Sequence, residues 1–139
     1  MSAIPVGAKG SFSMVVVPEH LASRFKDPTL PPVLATPVMI LFMENAALNA
    51  IRAYLPAGES ALGTVVNIRH LAATPVGQRV TAEAVVTGVE VRRIVFTVTA
   101  RDETQEIGSG IHERALVDLR RLAQRLDAKR DPRPGNLHG

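Results

Sequence analysis

Residues Thr36–Ile51 read TPVMILFMENAALNAI, the most apolar segment of the chain, with a single acid, Glu44, at its centre. Pro37 suits the first helical position, and Thr36 before it can cap the free N–H groups. Pro56 and Gly58 in LPAG stop a helix, so the pattern predicts one over residues 37–54, about 27 Å long. Apolar side chains lie on nearly every side of its first half, which predicts a buried helix rather than a surface one. An ionised carboxylate in such a helix costs on the order of several kcal/mol unless it is paired or has a use.

Beyond Gly58 the texture changes to alternation. In LGTVVNIRHLAAT, Val66, Ile68, His70 and Ala72 share one face, while Val65, Asn67, Arg69 and Leu71 share the other. PVG makes a turn. The next runs group Val80, Ala82, Ala84 and Val86, then Ile94, Phe96, Val98 and Ala100, then Ile107, Ser109, Ile111 and Glu113. Before the helix, GSFSMVVV over residues 10–17 reads as a strand, and PEHLASRFKDPTLPP as a short helix or ordered loop. A short amphipathic segment, DLRRLAQRLDAK, follows the last strand.

Four consecutive strands joined by tight turns predict an antiparallel sheet. Its inner face needs a cover, and only the 37–54 helix is apolar enough to supply one. The expected class is therefore α+β, a hotdog fold: one long helix wrapped by a curved antiparallel sheet, as a single domain over 1–139 with a basic tail from about residue 118. With no Trp and one Tyr, the core should be aliphatic. An open sheet edge is commonly covered by a second copy, so a homodimer is expected.

Composition narrows the function. No apolar run approaches the roughly 20 residues that cross a bilayer, and the N-terminus lacks a basic leader followed by an apolar block. Zero cysteines exclude disulfides and thiolate chemistry, so a cytoplasmic protein without membrane contact is expected. His20, His70, His112 and His138 show no metal-ligand spacing, and no metal is expected. The net charge of +3 favours anionic partners weakly. Without interleaved aromatics it points away from nucleic acid and toward a small anionic ligand such as a nucleotide-bearing thioester.

Three residues carry candidate chemistry. Glu44 lines up with Leu41, Leu48 and Ile51 on the helix. It reads either as a satisfied structural acid or as a catalytic carboxylate tuned by its surroundings. His70 faces the helix side of its strand and reads as a rim histidine or an acid–base partner. Thr36 reads as a helix cap, as a reactive hydroxyl, or as both.

The run from Leu34 to Gly77, LATPVMILFMENAALNAIRAYLPAGESALGTVVNIRHLAATPVG, together with TQEIGSGIHERALV over Thr104–Val117, resembles the fluoroacetyl-CoA thioesterase family of hotdog acyl-CoA thioesterases. Glu44 stands eight positions after Thr36, and His70 twenty-six after Glu44, which are the family's spacings. The resemblance implies a catalytic set of Thr36, Glu44 and His70. It places Gly63 beside the thioester carbonyl and makes Arg114 an active-site residue. No cofactor is implied beyond the coenzyme A carried by the acyl-CoA substrate. One position departs: Leu30 aligns where the family has a lid phenylalanine, which predicts weak discrimination for a fluorinated acyl group.

The implied reaction is thioester hydrolysis, with Glu44 either attacking the acyl carbon or activating water, and His70 handling protons. Along a regular helix Thr36 and Glu44 are about 12 Å apart. Either the helix is irregular there, or the Thr of one chain meets the Glu of another. Two other readings compete: a non-catalytic acyl-CoA-binding module and an enoyl-CoA hydratase. Hydratases of this fold carry their acid and histidine close together on one segment, a pattern absent here.

Overall fold

The computed structural model describes residues 3–130; the end of the predicted basic tail, from residue 131, lies outside them. Five strands, β1 (Lys9–Val15), β2 (Glu59–His70), β3 (Arg79–Val89), β4 (Arg93–Arg101) and β5 (Glu106–Asp118), form one sheet. Every pairing is antiparallel, in the order β1-β3-β4-β5-β2. Helix α2 (Thr36–Ile51) lies across the inner face and continues as a single 3-10 turn to Tyr54. Helix α1 (Ala22–Phe25) is one turn, and α3 (Leu119–Arg130) leaves the end of β5 with no buried residue. This is the expected hotdog arrangement.

The expectation that consecutive strands pair through hairpins fails at one junction. Chain segment 71–78 carries β3 away from β2 to the far side of the sheet. β2 therefore pairs with β5 and forms one edge. Alternation fixes which residues share a face but carries nothing about which strand lies alongside.

α2 rests chiefly on β1 and β3. Gly10 makes that approach possible, because a Cβ there would lie 2.2 Å from Ala50 N and 2.4 Å from Ala46 O. The buried helix face is Val38, Met39, Phe42, Met43, Ala46, Ala47, Ala50 and Ile51. It meets Val80, Ala82, Ala84 and Val86 of β3 and Ile94, Phe96, Val98 and Ala100 of β4 in the core cluster. The core is mostly aliphatic as expected, yet its two largest fully buried side chains are Phe42 and Phe96. The helix is not buried all round: Leu41 is 49% exposed.

On β5 the inward face is not the expected series through Ile111 and Glu113. His112, Arg114 and Leu116 are buried, while Ile111 is exposed. Gly108 and Gly110 share that inward register. A Cβ on Gly110 would lie 2.1 Å from Asn67 O, so β2 curls closely over β5 at this end.

Candidate active site

Two polar clusters stand on the side of α2 that faces β5 and β2. The first joins the start of the helix to the end of β2. The expected cap does not form: Ala35 is the N-cap with no side-chain hydrogen bond, and Thr36 and Pro37 are the first two helical residues. The Thr36 hydroxyl instead lies 2.8 Å from His70 Nδ1. Burial lowers His70 below its ordinary value of 6.5, against a backbone hydrogen bond at Ala72 that raises it. A neutral imidazole at pH 7 can accept the hydroxyl proton. Among the described residues His70 Nε2 is buried with no hydrogen-bond partner. Unpaired buried polar atoms are costly, which marks this nitrogen as a polar group the described residues leave unsatisfied.

The second cluster is built around Glu44. One turn before it stands Leu41 and one turn after it Leu48, so the stripe seen in the sequence exists, but it lies on the flank of the helix. The Glu44 side chain is 33% exposed, not sealed in the core. Its Oε2 accepts from Arg114 Nη1 at 3.5 Å. It also lies 2.8 Å from where a Gly63 Cβ would sit, so glycine makes the room for the carboxylate beside β2.

Arg114 is 6% exposed and donates Nη2–H to Ala61 O at 2.7 Å. Burial holds its guanidinium below the ordinary range, while the Glu44 charge works against that. Behind it His112 is 1% exposed, lies 3.1 Å from Arg114 Nη1 and stacks on Phe96 at 5.8 Å between centroids. Desolvation lowers His112 first, the Val65 carbonyl opposes that, and the Arg114 charge lowers it further. His112 was not among the candidates. The available signal was its position two residues from Arg114 on a strand, which puts both on one face.

Within one chain the clusters stay separate. α2 is regular from Thr36 onward, which removes the irregular-helix alternative, so about 12 Å of helix divides Thr36 from Glu44. Gly63 and His70 are divided by about 23 Å of strand. The structure thus pairs Thr36 with His70, and Glu44 with Gly63 and Arg114, and does not bring His70 to Glu44. Leu30 sits in a turn where Asp27 accepts from Thr29 N and Oγ1. Leu30 is 39% exposed and Phe25 55%, so this segment packs no large side chain down in the isolated chain. Among the described residues no group of three or more His, Asp or Glu could hold a metal ion, and no helix is long and apolar enough to cross a membrane.

Residues 16–120 match the family model described as fluoroacetyl-CoA-specific thioesterase. The chain is 41% identical over 120 residues to the fluoroacetyl-CoA thioesterase of Streptantibioticus cattleyicolor, covering 82% of this chain and 86% of that protein. Its structure superposes on that of the fluoroacetyl-CoA thioesterase FlK with a TM-score of 0.86 and 36% identity, over 91% of this chain and 98% of the other. A hot-dog-like protein from Thermanaerovibrio acidaminovorans matches with a TM-score of 0.81 and 25% identity, over 91% and 93%.

Proposed function

The chain belongs to the fluoroacetyl-CoA-specific thioesterase family, and on that premise we propose that it hydrolyses a short-chain acyl-CoA through Thr36, Glu44 and His70. It is a thioester hydrolase; the acyl group and the site residues are the proposal. The observation that carries it is the 2.8 Å contact between Thr36 and a His70 whose other ring nitrogen has no partner among the described residues. A hydroxyl held on a neutral imidazole can serve as an acid–base pair, and this hydroxyl does not cap the helix.

The site is completed by a second copy. β2 is an edge strand, and Leu62, Val65 and Val66 along it, with Leu41 of the helix, are each at least 40% exposed. An apolar edge of this kind is normally covered. A two-fold partner would bring its Glu44 toward the His70 of the first chain, joining the clusters that one chain keeps apart. The absence of cysteine supports a cytoplasmic setting.

In the reaction a Glu44 oxygen attacks the thioester carbon, the carbonyl electrons move to oxygen, and the C–S bond then breaks to leave a mixed anhydride and a thiolate. Water adds to the anhydride. Its oxygen bonds to the acyl carbon, the bond from that carbon to the Glu44 oxygen breaks, and the free acid leaves with one water proton. The other passes through His70 to the thiolate sulfur, and Glu44 is a carboxylate again. Thr36 holds the His70 ring. Backbone donors at Gly63 meet the developing oxyanion, and the Arg114 guanidinium counters the charge of the resting carboxylate.

Replacement of Glu44 by Gln tests the assignment. Thiol release from acetyl-CoA should fall by about 10²–10⁴-fold with the fold intact, and unchanged turnover would remove Glu44 from the site. A panel of acyl-CoA thioesters checks the acyl pocket, where Leu30 in an exposed turn supports little preference for fluoroacetyl over acetyl.

A further inference from the structure

The group that aims Arg114 lies behind it. We propose that His112 is a positioning residue: it anchors the β2 bulge through Nδ1–H and holds the Arg114 guanidinium against Glu44 through Nε2. The inference rests on Glu44 being part of the active site.

The tautomer follows from the neighbours. His112 Nδ1 lies 2.9 Å from Val65 O, and a carbonyl only accepts, so Nδ1 carries the proton. In the neutral ring Nε2 is then a lone pair. Its neighbour at 3.1 Å is Arg114 Nη1, and a guanidinium only donates. One ring therefore reads both groups, and with a second proton it could not accept from Arg114. That proton is opposed by burial and by the Arg114 charge; Glu44 and Glu113 are the acids that favour it.

Each bond fixes something the site needs. The pairing of β2 with β5 slips between Gly63 and Val65, leaving Thr64 as the extra residue. The Val65 carbonyl beside that slip is held by His112, so the ring fixes the stretch that turns Gly63 toward Glu44. The same Nη1 that His112 holds is the one facing Glu44 Oε2 at 3.5 Å. Phe96 stacked on the ring sets its plane. Movement of His112 would therefore shift both the cation beside the carboxylate and the strand beside the acyl carbon.

Three replacements separate the two bonds. His112→Gln places an acceptor near Nε2 and lacks the Nδ1 donor; His112→Asn keeps a donor near Nδ1 and lacks the acceptor; His112→Phe lacks both. The expected result is a kcat about 10–100-fold lower for Phe, with KM changed much less. Gln should recover most of the loss, because it restores the acceptor that holds Arg114, and Asn a smaller part, because it restores only the donor to the Val65 carbonyl. In an Arg114→Met background His112→Phe should lower kcat by clearly less than in the parent, because the share of its effect that acts through Arg114 is already gone. If His112→Phe does not fold, the order of Gln over Asn decides alone. Wild-type kcat in His112→Phe, or Gln no better than Asn, would overturn the inference. Glu44→Gln run alongside separates the two claims. Its loss of turnover beside a fully active His112→Phe removes only the positioning role, whereas full turnover in Glu44→Gln removes both.

Discussion

The two flanks of α2 use glycine for opposite ends. Toward β1, Gly10 removes a Cβ that would strike helix backbone at Ala46 and Ala50, and the result is dense apolar packing. Toward β2, Gly63 removes a Cβ that would lie 2.8 Å from Glu44 Oε2 and 3.3 Å from the His112 ring, side chains rather than helix backbone, and the result is room for a charge. One flank is built so that nothing moves. The other leaves a carboxylate one-third exposed, an arginine paired to it and an imidazole nitrogen without a partner among the described residues. Dense apolar packing and the polar clusters therefore lie on different sides of one helix.

This difference can be broken by the same substitution made twice. Gly10→Ala should cost roughly 3 kcal/mol or more, since backbone must give way, and thermal melting should show a large fall or no folded protein. Gly63→Ala should melt within a few degrees of the parent, because the carboxylate can swing aside. Its kcat should nonetheless fall on the order of 10²-fold for a displacement of about 1 Å. If the two variants lost stability equally, the division between the flanks would be wrong.

A smaller effect sharpens the comparison through pH. His70 and His112, both on the open flank, have values held below 6.5 by burial. Unfolded imidazoles take up protons near 6.5, folded ones only at lower pH. Between those points the unfolded chain binds more protons, so stability falls as pH drops below about 6.5. The melting temperature should decline by roughly 2–6 °C from about pH 7.5 to 5.5, and His112→Gln should shrink that decline. A flat profile across this range would contradict the burial of both rings.

The closed flank was legible in the sequence and the open one only in part. Val80 through Val86 and Ile94 through Ala100 alternate cleanly because one face is buried, and the helix was marked by its apolar density and by Pro56 and Gly58. The β5 face was misread because its inward residues are Gly108, Gly110, His112 and Arg114, whose burial depends on curvature and ion pairing rather than hydrophobicity. The crossover after β2 was invisible for a related reason, since β2 has few buried residues to report a neighbour. Thr36 sat at a plausible cap position, and only its 2.8 Å contact with His70 shows a different use. Of the candidate residues, the spacing already put about 12 Å of helix between Thr36 and Glu44; that His70 lies with Thr36 and not with Glu44 was not legible.

The two clusters give the most direct test. Chains carrying Glu44→Gln and chains carrying His70→Ala should each be inactive alone. Co-expressed with different tags and purified as the mixed dimer, they should recover about half of wild-type turnover, because one of the two composite sites is then intact. A mixed dimer as inactive as its parents would contradict a site shared between two copies.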